Sequence, residues 1–199
     1  MLMPLRAGAR PSAGAARLLW VRLKAGDPDA LEALYRLEAG PVYRYALALS
    51  GNPSWAADAT QDAFVALATR PAAFDPDRGS LGAYLAGAAR HALLAQWRQA
   101  RDAMPIDDEE EDGDRLSADA QAVSPETLLV RAQSGARVWQ ALRELPWTFR
   151  EAVVLVDLQE RPYADAARIA GVELNTLRTR LHRARMRLAR LLGDAGERP

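Results

Sequence analysis

"YADAARIAGVELNTLRTRLHRARMRLARLL" (163–192) reads as two helices joined by a tight turn. A short helix from Tyr163 to Ala170 meets Gly171-Val172, and a second helix starts at about Leu174. Glycine tolerates the positive φ that such a turn needs, and Val172 can plug the angle between the helices. Along the second helix Leu177, Leu181, Ala184, Leu188 and Leu191 recur at spacings of 4, 3, 4 and 3, which makes one continuous buried stripe. Arg178, Arg180, Arg183, Arg185, Arg187 and Arg190 take the remaining arc. The pattern is a helix-turn-helix.

Six cations and no acid between 174 and 192 call for a polyanionic partner. A helix laid in the major groove has phosphates on both flanks, so guanidinium groups on both sides of the stripe find partners there. Its first turns carry Asn175, Thr176, Arg178 and Thr179, side chains able to hydrogen-bond base edges. Codon bias explains why the chain has 25 Arg and one Lys, but not why acids are missing from this helix.

Working outward, the 199 residues are enough for one compact domain or two small ones. The absence of cysteine rules out disulfides, thiolate nucleophiles and thiolate zinc sites. Two histidines, His91 and His182, far apart in sequence, argue against a metal site. The net charge of zero hides three blocks: +4 over 1–101, −9 over 102–126 and +5 over 127–199. No apolar run approaches the ~20 residues of a membrane span. The Ala- and Arg-rich opening superficially resembles a transit peptide but lacks a signal-peptide core, so 1–24 is expected to be a flexible N-terminal extension and the protein cytoplasmic.

Helix signals recur along the rest of the chain, and nothing suggests strands. Asp27-Pro28 opens a helix through Leu31, Leu34, Tyr35 and Leu37; Val42 to Leu49 reads as a second one, stopped by "SGNP". Ser54 is expected to cap a third through Thr69, with Phe64 and Leu67 inward. Ser80 caps a fourth reaching about Arg101. The following "RDAMPIDDEEEDGDRLSADAQAVSP" (101–125) has eight acids from Asp107 to Asp119 and no period, as a linker would. Helix restarts at Ser124-Pro125 and runs to about Glu144, and Pro146 opens another through Val153, Val154, Leu155 and Leu158. The expected fold is all-α: two small helical domains, 25–101 and 126–192, joined by an acidic flexible linker over 102–125 and followed by a tail over 193–199.

"LRELPWTFREAVVLVDLQERPYADAARIAGVELNTLRTRLHRAR" (142–185) resembles the fourth region of bacterial sigma factors of the sigma-70 family, extracytoplasmic-function branch. "DPDALEALYRLEAGPVYRYALALSGNPSWAADATQDAFVALA" (27–68) with "YLAGAARHALLAQWRQAR" (84–101) is similar to that family's second region. The resemblance implies a promoter-specificity subunit of RNA polymerase, not an enzyme, with no cofactor or metal and no membrane insertion. It would place Asn175, Thr176, Arg178, Thr179, His182 and Arg183 on the minus-35 element, and Tyr84, Arg90 and His91 on the minus-10 element. Asp58, Gln61, Asp62 and Phe64 would lie on the polymerase, at the coiled coil of its largest subunit. The implied partners are core RNA polymerase (that coiled coil and the flap region), promoter DNA and, as a family expectation, an anti-sigma factor.

This chain departs from the family where a Trp-Leu-Tyr-Arg-Ile-Ala-Arg-Asn run is common: it has Tyr84-Leu85-Ala86-Gly87-Ala88-Ala89-Arg90-His91. An imidazole can stack on and bond a flipped base, with a different preference from Asn; His91 is equally open to a structural role. Trp97 is open to core packing or base stacking, and the acidic linker to a polyanion mimic or a plain spacer. The alternative reading of the whole chain is an autonomous helix-turn-helix regulator, which leaves the N-terminal domain without a purpose.

Overall fold

The computed structural model describes residues 13–103 and 135–194; the expected helix start at Ser124-Pro125, nearly all of the expected linker and the end of the expected tail lie outside them. Among the described residues every regular element is helical. Helices α1 (Ala13–Lys24), α2 (Pro28–Ser50), α3 (Pro53–Thr69) and α4 (Leu81–Ala103) form one lobe. Helices α5 (Gly135–Arg143), α6 (Trp147–Val153), α7 (Tyr163–Ala170) and α8 (Leu174–Asp194) form the other. Leu34, Tyr45, Leu49, Leu67, Leu85 and Leu93 are buried in the first, and Leu142, Leu155, Leu177 and Leu188 in the second.

The expected flexible extension fails from Ala13 onward. Trp20 of α1 is buried edge-on against Phe74 at 5.2 Å, and its Nε1 donates to the Pro71 carbonyl at 2.8 Å. Burying an indole with its N–H satisfied stabilises far more than a frayed end could. Asp27 then caps α2 as expected, its side chain accepting from the Asp29 amide at 3.0 Å with Pro28 at the first helical position. The Arg22 hydrogen bond holds the Asp27 carboxyl below its ordinary range.

The two helices expected between Asp27 and Ser50 are one, with Pro41 inside. An interior proline costs about 3 kcal/mol. The buried row Ala30, Leu34, Glu38, Val42, Tyr45 and Leu49 runs straight through it. At ~1.5–3 kcal/mol for each large apolar side chain, keeping that row continuous outweighs the proline. The helix ends at Gly51, whose φ of +66° needs glycine.

The cap of α3 is also corrected, by two residues: Asn52, not Ser54, accepts from the amides of Ser54 and Trp55 at 2.9 and 3.3 Å, and Pro53 takes the first helical position. Ser80 does cap α4, its Oγ accepting from the Ala83 amide at 3.2 Å. In the second lobe α6 widens into a π-type turn over Val154–Leu158, where the Gln159 amide bonds the Val154 carbonyl at 2.9 Å. Gly171, at φ +67°, makes the turn between α7 and α8. The lobes touch along a seam in which α2 and α4 meet α6, its π-type turn and α7.

Candidate nucleic-acid and polymerase interfaces

Helix α8 buries Leu177, Leu181, Ala184 and Leu188 against the rest of its lobe. At 3.6 residues per turn, Asn175, Thr176, Arg178, Thr179, His182 and Arg183 fall within an arc of roughly 160° on the opposite side. Asn175, Thr176, Arg178, Thr179 and His182 are exposed, and Arg183 is half-buried. The structure therefore brings all six expected minus-35 residues together. The Arg178 guanidinium lies 5.9 Å from the Tyr163 ring of α7, a cation–π contact that limits where this long side chain can point. Thr179 donates to the Asn175 carbonyl at 3.0 Å.

The arginines of α8 are not all alike. Arg185 grips Asp157 of the π-type turn through both Nε and Nη2, at 3.1 and 2.7 Å. A two-point guanidinium–carboxylate contact is among the stronger surface pairs. It fixes the roll of α8 and engages one of the six guanidinium groups of this helix within its own lobe. Arg150, on α6, serves the packing of the lobes instead. It donates to the carbonyls of Leu49, Arg143 and Leu145 at 2.6, 2.7 and 3.0 Å. Burial, and then the neighbouring Arg143, push its pKa down.

On α4 the three expected minus-10 residues separate. Tyr84 and His91, seven apart, share one side; Tyr84 is half-buried against Phe74 at 5.6 Å, and His91 is exposed. Arg90 points about 120° away from Tyr84. Its Nε donates to Glu151 Oε1 at 2.7 Å, across the seam. Trp97 is 41% exposed, yet its inner side faces Trp147 of the other lobe at 5.1 Å. It belongs neither to its own lobe's core nor wholly to solvent.

On α3, Asp58, Gln61, Asp62 and Val65 are exposed. Phe64 is not on that face: it is 5% exposed and supports Tyr35, whose ring sits 4.9 Å away and is half open to solvent. The outward surface is thus Tyr35 and Val65 with acids beside them.

Sequence reasoning missed Glu151, which is 0% exposed and accepts from the Tyr45 hydroxyl at 2.8 Å as well as from Arg90. The available signal was an acid set among the buried positions Ala152, Val154 and Leu155. Burial and the Glu151 charge hold the Tyr45 hydroxyl well above its usual pKa. Glu38 was missed too. Burial raises its pKa against the pull of Arg161, and a Cβ on Gly82 would come within 2.7 Å of its Oε2, so a side chain there would make the Glu38 carboxylate shift. Among the described residues no acid or histidine cluster could hold a metal ion, and no helix is long and apolar enough to cross a membrane.

Residues 34–103 match the family model of Sigma-70 region 2, and 135–188 that of Sigma-70 region 4. The chain belongs to the extracytoplasmic-function sigma factors. It is 33% identical over 188 residues to the ECF RNA polymerase sigma factor SigM of Mycobacterium tuberculosis, covering 94% of this chain and 88% of that one. It is 34% identical over 166 residues to SigE of Mycolicibacterium smegmatis, covering 82% of this chain. This sigma factor spans 63% of the length of SigE and 64% of that of BldN from Streptomyces coelicolor, another relative. Its fold is similar to that of the sigma factor RpoE solved in complex with the anti-sigma factor NepR from Bartonella quintana. There the TM-score is 0.62 at 26% identity, over 81% of this chain and 96% of that one. CnrH, solved with the cytosolic domain of CnrY, shares the fold at a TM-score of 0.65, 24% identity and 90% and 98% coverage.

Proposed function

We propose that this sigma factor directs promoter-specific transcription initiation, binding core RNA polymerase and recognising minus-10 and minus-35 elements, with no catalytic residue of its own. The observation that carries the reading is the exposed arc of α8, where six groups able to meet bases or phosphates stand opposite a buried stripe. Asn175, Arg178, Thr179 and His182 read base edges; Thr176 and Arg183 lie at the phosphate side of the arc. In the other lobe Tyr84 and His91 of α4 meet the melted minus-10 strand, where aromatic stacking is worth ~1–3 kcal/mol per base; Arg90, expected beside them, is engaged by Glu151 across the seam. Asp58, Gln61 and Asp62, with Val65 and Tyr35, face the polymerase, and Phe64 holds Tyr35 in place from beneath. An anti-sigma factor is proposed as a further partner, by likeness to RpoE, which was solved with one.

The test is run-off transcription with purified core polymerase on templates carrying a randomised upstream region. Sigma-dependent transcripts from a shared pair of motifs are expected. Tight, specific binding to duplex by the isolated protein with no polymerase-dependent transcript would favour the autonomous regulator instead. Removing both Gln61 and Asp62 side chains should weaken co-purification with core polymerase at unchanged helicity; unaltered co-purification would remove that face from the polymerase interface.

A further inference from the structure

Arg178 and Arg185 are two turns apart on α8, so at 3.6 residues per turn they fall within about 20° of one line along the helix. Both are met from a single stretch of chain, 154–163, but by different groups. Asp157 binds Arg185 through both carboxylate oxygens, which occupies guanidinium donors and offsets the charge. Tyr163 offers Arg178 only its ring, 5.9 Å away. An aromatic ring attracts a guanidinium without taking any of its five N–H donors. One arginine is tied down; the other is held and still able to bond.

The stretch that carries these two groups is fixed within its own lobe. Its π-type turn closes with the Gln159 amide on the Val154 carbonyl and the Arg161 amide on the Leu155 carbonyl, each at 2.9 Å. Glu160, at φ +50°, turns the chain between them. Pro162 then starts α7, its carbonyl accepting from the Ala166 amide at 2.9 Å, and Tyr163 takes the first helical position. The acid that follows, Asp165, is bound by Arg168 and does not draw Arg178 away. Among the described residues no carboxylate pairs with Arg178.

Direction matters for this arginine more than for one that meets a phosphate. A bidentate contact to the O6 and N7 of guanine needs the planar fork in register with the base edge. A long side chain has much rotamer freedom to lose on binding, and holding it beforehand in the bound direction reduces that loss. Arg178 is exposed and Tyr163 is 39% exposed, so neither belongs to the core of the lobe. The consequence of their contact is directional.

We propose that Tyr163 is a positioning residue for minus-35 recognition: its ring aims the Arg178 guanidinium at the edge of one base, a guanine, and so sets how strongly the protein discriminates at that position. This inference deepens the proposed function and rests on its assignment of Arg178 to a base edge. The ring acts here and the hydroxyl does not. A hydroxyl bonded to a phosphate would strengthen binding to every sequence alike, whereas an aimed guanidinium strengthens binding to one base.

The experiment has two readouts. The first needs no DNA: in the free, full-length protein the side-chain protons of Arg178 should show a ring-current shift by nuclear magnetic resonance. The shift should persist in Tyr163→Phe and vanish in Tyr163→Leu, at unchanged helicity and melting. The second is competition binding of the holoenzyme to promoters carrying each base at each minus-35 position, where Arg178→Ala identifies the position that this arginine reads. There Tyr163→Leu should reduce discrimination about two- to fivefold by weakening the preferred base alone. Tyr163→Phe should retain the discrimination, and Tyr163→Leu should have no further effect in an Arg178→Ala background. Equal loss on all bases in Tyr163→Leu or in Arg178→Ala overturns the proposal. So does Tyr163→Phe behaving as Tyr163→Leu does, or a parent without the ring-current shift. A parent that shows the shift but gives no polymerase-dependent transcript counts instead against the proposed function; the base series is then read by anisotropy on duplex with the protein alone, where the same outcomes decide.

Discussion

Helices α8 and α4 are the two candidate DNA readers, and they meet solvent in different ways. α8 turns its apolar stripe inward and leaves Asn175, Arg178, Thr179 and His182 outward. α4 keeps Tyr84 and His91 on one side but commits Arg90 to Glu151 of the other lobe. The face of α8 follows from its own periodicity and the small lobe beneath it. The face of α4 depends on where a second lobe sits. A surface set by local pattern depends on one helix and the lobe beneath it, whereas one shared with a neighbour depends also on where that neighbour sits.

The contrast breaks most completely if the stripe beneath α8 is removed. Leu181→Ala should destabilise the C-terminal lobe by about 2–5 kcal/mol and abolish minus-35 binding, without changing the α3 contact with polymerase. Thermal melting followed by circular dichroism, with polymerase co-purification alongside, checks this; loss of both functions together would mean that the lobes fold as one unit.

A finer cut lies within the exposed arc. Arg178→Ala should cost ~1–3 kcal/mol on one promoter sequence and relax preference at a single base position. Arg187→Ala, further along the same helix, should weaken all sequences alike and flatten the salt dependence by about one unit. Anisotropy titrations over a salt series with single-base variants distinguish them. Uniform loss in Arg178→Ala would mean that Tyr163 aims this guanidinium at the backbone.

In the other lobe, Asn52→Ala removes the cap at the start of α3 and should cost about 1 kcal/mol in melting. Transcription at permissive temperature should persist, since the exposed Asp58–Gln61–Asp62 surface begins a turn further on.

The smallest effect concerns pH. Burial raises the Glu38 carboxyl above its ordinary value of 4.5, so its folded pKa lies above its unfolded one. Its stabilising contribution is complete below the unfolded value and is lost as pH rises through the folded value. Glu38→Gln should therefore be more stable than the parent at neutral pH, and the two should converge below about pH 4.5. Denaturant melts at neutral pH and at pH 4 measure the difference; a variant less stable at neutral pH would show that Arg161 outweighs burial.

What the sequence determined by itself was whatever repeats within a few residues. The stripe of α8, the Gly171 turn, the Asp27-Pro28 and Ser80 starts and the two-lobe order all follow from period, cap or backbone tolerance. Each is settled by neighbours in the chain, so each could be read without a fold. The errors arose where distant packing overrode a local signal: Pro41 suggested a break that a continuous buried row suppresses, and the Ala-rich opening suggested a tail before Trp20 found Phe74 and Pro71. The tertiary structure alone decided which charges face solvent and which face each other. Arg185 and Arg187 look alike in sequence, yet one is bound to Asp157, and Arg90 is held by an acid 61 residues away. A guanidinium has no periodicity of its own to announce its partner; only the folded chain brings a carboxylate within 3 Å of it.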